Sequence, residues 1–139
     1  MKKGILLNSN ITSVIAKLGH TDHITIADAG LPIPQQVERI DLAITQGLPD
    51  LMSVLSVITQ EMQIEKAILA GEITTVNPEM EHAILAHLQA LELTQGKPIT
   101  VEYCSHESFK KMTHDSKAVI RTGECSPFAN VILCSGVTF

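Results

Sequence analysis

The stretch GHTDHITIADAGLP, residues 19–32, sets His20, Asp22, His23 and Asp28 around the small and apolar Ile24, Thr25, Ile26 and Ala27. A buried strand accounts only for the middle. Imidazoles and carboxylates at its two ends are groups that exchange protons with a substrate or hold its hydroxyls. Asp28 stands where the strand gives way to the loop AGLPIP, and in an α/β sheet ligands bind beyond the carboxyl ends of strands. The same residue reads equally as a turn-forming aspartate before Ala-Gly. His20 follows Gly19 near a helix end, where a capping role is an equal alternative. Fully extended, residues 20–28 would span roughly 26 Å, at about 3.3 Å per residue. One small ligand cannot touch both ends, so either HTDH folds back or the two residues serve a site shared between subunits.

Two later segments carry similar chemistry. YCSHESF, 103–109, puts His106 just after a strand, and RTGECSPFAN, 121–130, is a polar loop between two strands. Both could line one cleft. Ser105 with Ser108 nearby could instead simply begin a helix, and 121–130 could be an ordinary connection. The remaining candidates have plainer readings: His82 as a solvated side chain, His87 as a half-buried packing residue, His114 as surface, and Cys125 and Cys134 as small packing residues. His20-x-x-His23 and Cys104-x-His106 fall short of the ligand set of a closed zinc site, so no metal is expected. Arg121 and Glu124 flank Gly123 and pair with each other or shape the loop.

The elements that must position these groups alternate along the chain. Ile11, Val14, Ile15 and Leu18 share a helical face, with Asn10 as candidate N-cap and Gly19 as stop. Ile24 to Ala27 predicts a strand, as does the period-two RIDLAIT of 39–45, followed by an apolar helical segment, DLMSVLSVI. Residues 61–73 are ambiguous and are taken as a strand because their neighbours then alternate. Asn77-Pro78 opens a helix whose stripe is Met80, Ile84, His87, Leu88 and Leu91, with Gly96 past its end. A strand at 99–103, a helix at 106–114 and strands at 118–121 and 131–134 complete the pattern. The expected fold is a single three-layer α/β/α domain over residues 1–139 with a roughly six-stranded mixed sheet.

Composition narrows the function classes. The 139 residues suit one domain with a proper core. With 45% hydrophobic and 18% charged residues and a mean hydropathy of +0.20, some surface is expected to face another subunit. A net charge of -5 and ten Lys and Arg without a basic run argue against nucleic acid. Behind the initial MKK the apolar run is too short for a signal peptide, and no span approaches the roughly 20 apolar residues of a membrane helix. Three cysteines without a CxxC pair suit a reducing compartment, so a cytoplasmic location is expected.

MKKG near the start, GHTD with IADAGLPIP, RIDLAITQG, EMQIEKAI, AVIRTGECSPFANVILC and the terminal SGVTF together resemble the ribose pyranase and fucose mutarotase family over essentially the whole chain. The resemblance implies a cytoplasmic, cofactor-independent isomerase that interconverts the pyranose and furanose forms of D-ribose. It implies His20 as proton donor, and Asp28, His106, Phe128, Ala129 and Asn130 as sugar-binding residues. It also implies a ring-based homo-oligomer, with a decamer as a candidate size, whose sites lie near subunit contacts. The family often has tyrosine where this chain has Phe128, which leaves the ring face for the sugar but no phenol; an L-fucose-type mutarotase is the alternative within the family.

Ring opening suits these groups. A proton leaves the anomeric hydroxyl as another reaches the ring oxygen, and histidine, ordinarily near pKa 6.5, can serve both directions. His106 would serve a hydroxyl or the second proton transfer. Two readings from other classes compete: a non-catalytic sugar-binding module, and a metal-dependent sugar isomerase or aldolase-type enzyme using HTDH and CSH.

Overall fold

The computed structural model describes residues 1–139. Its elements are α1 (Ser9–Lys17), β1 (His23–Ala27), β2 (Glu38–Asp41), α2 (Leu51–Ile58), β3 (Ile64–Ala70), α3 (Ile73–Val76), α4 (Pro78–Gln95), β4 (Thr100–Cys104), α5 (His106–Met112), a 3₁₀ turn (Thr113–Asp115), β5 (Ala118–Arg121) and β6 (Val131–Ser135). The expected six-stranded mixed sheet is present, in the order β2-β5-β1-β6-β3-β4.

Alternation along the strands divides the core. Ile24 and Ile26 of β1, Ile120 of β5, Leu69 of β3 and Val131 and Leu133 of β6 point to a face covered by α1, α2 and α4. Ala27, Val119, Ile68, Ala70 and Ile132 point to the other, where Phe109 of α5 packs with Leu31 and Val37 from the loop after β1. Strands buried on both faces read as nearly continuous apolar runs, as ANVILC does. The result is three layers, with the sheet in the middle.

Strand direction matters most for function. The pairs β1·β5, β2·β5 and β3·β4 are parallel, while β6 is antiparallel to both β1 and β3. Five strands therefore end at one edge of the sheet, where β6 begins. The opposite edge carries the starts of those five and the end of β6.

Several predicted boundaries move. The cap of α1 is Asn8, not Asn10: its Oδ1 accepts the Ile11 amide at 3.0 Å, and the helix closes at Leu18 before Gly19 is reached. Residues 39–45 were expected to form one strand, but β2 stops at Asp41. The Asp41 carboxylate turns back to accept the Ala43 amide at 3.0 Å, and its other contacts are with the Arg121 guanidinium of β5. Ile44 is consequently 78% exposed. The ambiguous 61–73 segment contains β3 and then breaks into the short α3. The helix after Asn77 is as predicted, with the Asn77 side chain accepting from Met80 and Gly96 closing it at φ 70°.

Candidate active site

At the edge where five strands end, four of the candidate residues converge. Asp28 follows β1, His106 follows β4, and Phe128 and Asn130 lead into β6. The Asp28 amide donates to Asn130 Oδ1 at 2.8 Å, and Asn130 Nδ2 donates to Asp28 Oδ2 at 2.8 Å. Asp28 Oδ1 accepts the Gly30 amide at 2.9 Å, so the turn-forming role is present and Oδ2 remains for the Asn130 amide. Asn130 and Ala129 are completely buried, whereas Asp28 is half-exposed. Asn130 thus holds the carboxylate, and Asp28 presents it.

His106 is the first residue of α5. Ser105 caps that helix by accepting the Ser108 amide at 3.2 Å, and both oxygens of Glu72 accept the His106 amide at 3.0 Å. That amide holds Glu72 below the usual carboxylate range. The His106 ring lies edge-on to Phe128 at a centroid distance of 5.0 Å and near-parallel to Phe109 at 6.5 Å. Its Nδ1 is buried with no partner in the chain, a condition that calls for an explanation in a native structure. Phe128 itself has φ 56°, a left-handed conformation uncommon for a bulky residue and one that clusters at ligand sites.

The loop 121–130 is built by Glu124. Its Oε1 accepts the amides of Cys125 at 3.1 Å and Ser126 at 3.0 Å, and its Oε2 lies 3.4 Å from the Leu51 amide at the start of α2. Burial pushes Glu124 up, but the Ser126 amide and hydroxyl and the other amides outweigh it and leave the carboxyl below its usual range. Arg121 does not pair with Glu124; it pairs with Asp41 and donates to the Ala29 carbonyl at 3.0 Å. Cys125 is exposed rather than packed, and Cys134 is buried as expected.

His20 is not part of this cluster within one chain. It sits at the opposite edge, exposed, with Nε2 2.8 Å from Oε2 of Glu65. HTDH turns at Gly19–Asp22, where the Asp22 amide donates to the Gly19 carbonyl at 3.1 Å, but it does not bring His20 to Asp28: β1 lies between them, and its five residues hold its ends about 13 Å apart at about 3.3 Å per residue. The same separation keeps HTDH and CSH from forming one metal site in a single chain. Of the other histidines, His87 is half-buried against the Thr59 hydroxyl at 2.8 Å, and burial lowers its pKa; His82 and His114 are exposed. Glu65 and Glu72 were not singled out from sequence. A carboxylate that contacts a residue of another strand or helix leaves no local pattern.

The family model of the RbsD / FucU transport protein family matches residues 1–138. The chain belongs to that family. Among its relatives, the D-ribose pyranase of Proteus mirabilis (strain HI4320) is 65% identical and that of Citrobacter koseri is 58% identical, each over the whole of both chains. The structure of Bacillus subtilis RbsD complexed with D-ribose superposes with a TM-score of 0.92 at 46% identity, again covering both chains fully. The fucose mutarotase of Streptococcus pneumoniae, solved with L-fucose, shares the fold at TM-score 0.75 and 21% identity over 94% of each chain.

Proposed function

We propose that this chain is a D-ribose pyranase, an isomerase that interconverts the β-pyranose and β-furanose forms of D-ribose by acid/base ring opening and reclosure, without a cofactor. The observation that carries this is identity of 65% across the full length of a relative named for that activity. The geometry supports it with a carboxylate, an unpartnered imidazole nitrogen and an aromatic face at one sheet edge.

In this reading Asp28, oriented by Asn130, accepts sugar hydroxyls. His106 serves a sugar hydroxyl or the second proton transfer, and Phe128 covers an apolar face of the ring. His20 moves the proton. The anomeric O–H proton leaves as the C1–ring oxygen bond breaks, C1 becomes a carbonyl, and the ring oxygen gains a proton. Reclosure runs the same exchange through the neighbouring hydroxyl: that oxygen bonds C1, loses its proton, and the carbonyl oxygen regains one. Because His20 lies at the far edge of its own sheet, the His20 that reaches a given sugar comes from an adjacent copy. A contact between one copy's His20 edge and the next copy's Asp28 edge is head-to-tail, and such contacts form rings where the rotation between copies closes and open filaments where it does not. We take the homo-oligomer to be a ring or stacked rings, as the family resemblance implies, acting in the cytoplasm and supplying the ring form that a downstream kinase accepts. No helix of the chain is long and apolar enough to cross a membrane.

Saturation-transfer proton NMR on equilibrated D-ribose tests the activity. Addition of the protein should speed exchange between pyranose and furanose anomeric signals, and His20→Ala should abolish the effect with assembly unchanged. Sugar binding without acceleration would make the chain a binding module; full activity of His20→Ala would remove His20 from the reaction.

A further inference from the structure

His20 has one hydrogen-bonding partner in the chain, Glu65, and the surroundings of that contact are built with unusual care. In the ladder between β3 and β6, Ile64 lies opposite Ser135 and Lys66 opposite Cys134, so Glu65 is an extra residue in a bulge. Bulges re-aim a side chain that a regular strand would place elsewhere. The freed backbone is clamped by Gln95, whose Nε2 donates to the carbonyls of Ile64 at 2.7 Å and Lys97 at 2.9 Å, and whose Oε1 accepts the Ile64 amide at 3.3 Å. Opposite the bulge runs Gly136. A Cβ there would lie 3.2 Å from Glu65 Cβ, tighter than most side-chain contacts, so any larger residue would press on Glu65.

The turn that carries the histidine is tied to the end of β6 as well. Thr21 adopts φ 68°, its amide donates to the Ser135 carbonyl at 3.0 Å, and the Ser135 amide donates to the Asp22 carbonyl at 2.8 Å. Asp22 Oδ2 accepts the Gly19 amide at 2.9 Å, and Lys117 lies 3.2 Å from its Oδ1. Both partners of the contact therefore hang from the same end of β6.

We infer that Glu65 is the positioning residue of His20: it accepts the hydrogen bond of Nε2–H and so makes Nδ1 the atom that exchanges protons with the sugar. This rests on the reading of His20 as the proton-transfer group. An ionised carboxylate only accepts hydrogen bonds, so the contact requires the proton on Nε2, and in the neutral ring the lone pair is then on Nδ1. When Nδ1 takes the anomeric proton, the imidazolium that forms faces a carboxylate already in place. It is discharged when the ring oxygen takes the proton. A buttressing carboxylate of this kind fixes both tautomer and ring orientation.

The test combines nitrogen-15 NMR of the His20 ring with saturation-transfer kinetics on the wild-type protein, Glu65→Ala and Glu65→Gln. The wild-type neutral ring should carry its proton on Nε2, and Glu65→Ala should lose that preference. Exchange at saturating ribose should fall about 10- to 100-fold in Glu65→Ala, part of the 10²- to 10⁴-fold that positioned proton transfer supplies, with half-saturation little changed. Glu65→Gln keeps an acceptor oxygen and should recover most of the tautomer preference and part of the rate. A wild-type proton on Nδ1, or Glu65→Ala with unchanged tautomer and rate, would overturn the inference. If instead the wild-type protein fails to accelerate exchange, or His20→Ala is fully active, the functional reading falls. The tautomer comparison then still decides whether Glu65 controls the ring.

Discussion

Among single residues, two arrangements hold the side chains at the Asp28 edge in place. The Asp28 and Asn130 clasp uses both polar ends of a fully buried amide. Asn130→Ala should lower stability to urea by about 1–3 kcal/mol, the range for stranding a buried hydrogen-bonding partner, and should weaken ribose binding because Asp28 loses its orientation. Phe128 packs edge-on to His106 from a left-handed backbone. An aromatic pair of this kind contributes about 0.5–1.5 kcal/mol beyond its buried area. Phe128→Ala should therefore raise the ribose concentration for half-maximal exchange more than it lowers the maximal rate. Phe128→Tyr should keep the contact and bind at least as well. Titration of ribose into each variant by calorimetry, beside exchange rates, checks both outcomes.

At the scale of elements, what matters is how helices and strands hold their loops to the site edge. The helix α2 begins at Asp50, whose Oδ1 accepts the Ser53 amide at 2.8 Å and whose Oδ2 accepts the Ser53 hydroxyl at 2.6 Å. The Ser53 hydroxyl foremost, and the amides with it, keep this carboxyl below its ordinary value of 3.8. A depressed carboxylate contributes stability that is fully present above the unfolded value and is lost as the pH falls through the folded one. Asp50→Ala should cost about 1 kcal/mol at neutral pH. Urea midpoints of the two proteins should converge as the pH drops below 3.8. The loop after β5 approaches the loop before α2 just as closely: a Cβ on Gly123 would lie 2.5 Å from the carbonyl oxygens of Thr45 and Leu48. Those oxygens are backbone and cannot rotate away, so the loop that Glu124 shapes is locked to residues 45–49.

At the scale of the whole molecule, the separation of His20 from Asp28 becomes a property of assembly. If the site is shared head-to-tail, His20→Ala and Asp28→Ala proteins, each inactive alone, should regain activity when their subunits are intermixed by co-expression. A random equal mixture places an intact His20 beside an intact Asp28 at about one contact in four, so about a quarter of wild-type exchange is expected. No recovery in demonstrably mixed oligomers would show that His20 and Asp28 do not meet in a shared site. Apolar side chains stand exposed at both edges: Ile44 and Leu48 on the loop that borders the Asp28 edge, and Phe139 at the His20 edge, its carbonyl held by Lys97 at 2.8 Å. Ile44→Glu should accordingly shift sedimentation toward smaller species.

The alternation of strands and helices, the strand at 131–134, the helix opened by Asn77-Pro78 and the placement of Asp28 and His106 at strand ends were legible in the residues alone. These follow from local periodicity, capping and turn chemistry, which act over a few residues. The sequence also implied, through the GHTD and SPFAN segments, which residues to watch. The folded sheet sets β6 against both its neighbours, which brings Phe128 and Asn130 to the same edge as Asp28 and His106, while His20, ahead of β1, stays at the other. Only it showed β2 ending at Asp41, where a carboxylate turns back on the Ala43 amide and meets an arginine of β5. Glu65, Glu72 and the role of Glu124 were beyond local reading for the same reason. Their partners, His20, His106 and Leu51, lie 45, 34 and 73 positions away, and a pairing at that distance is made by the sheet and its connections.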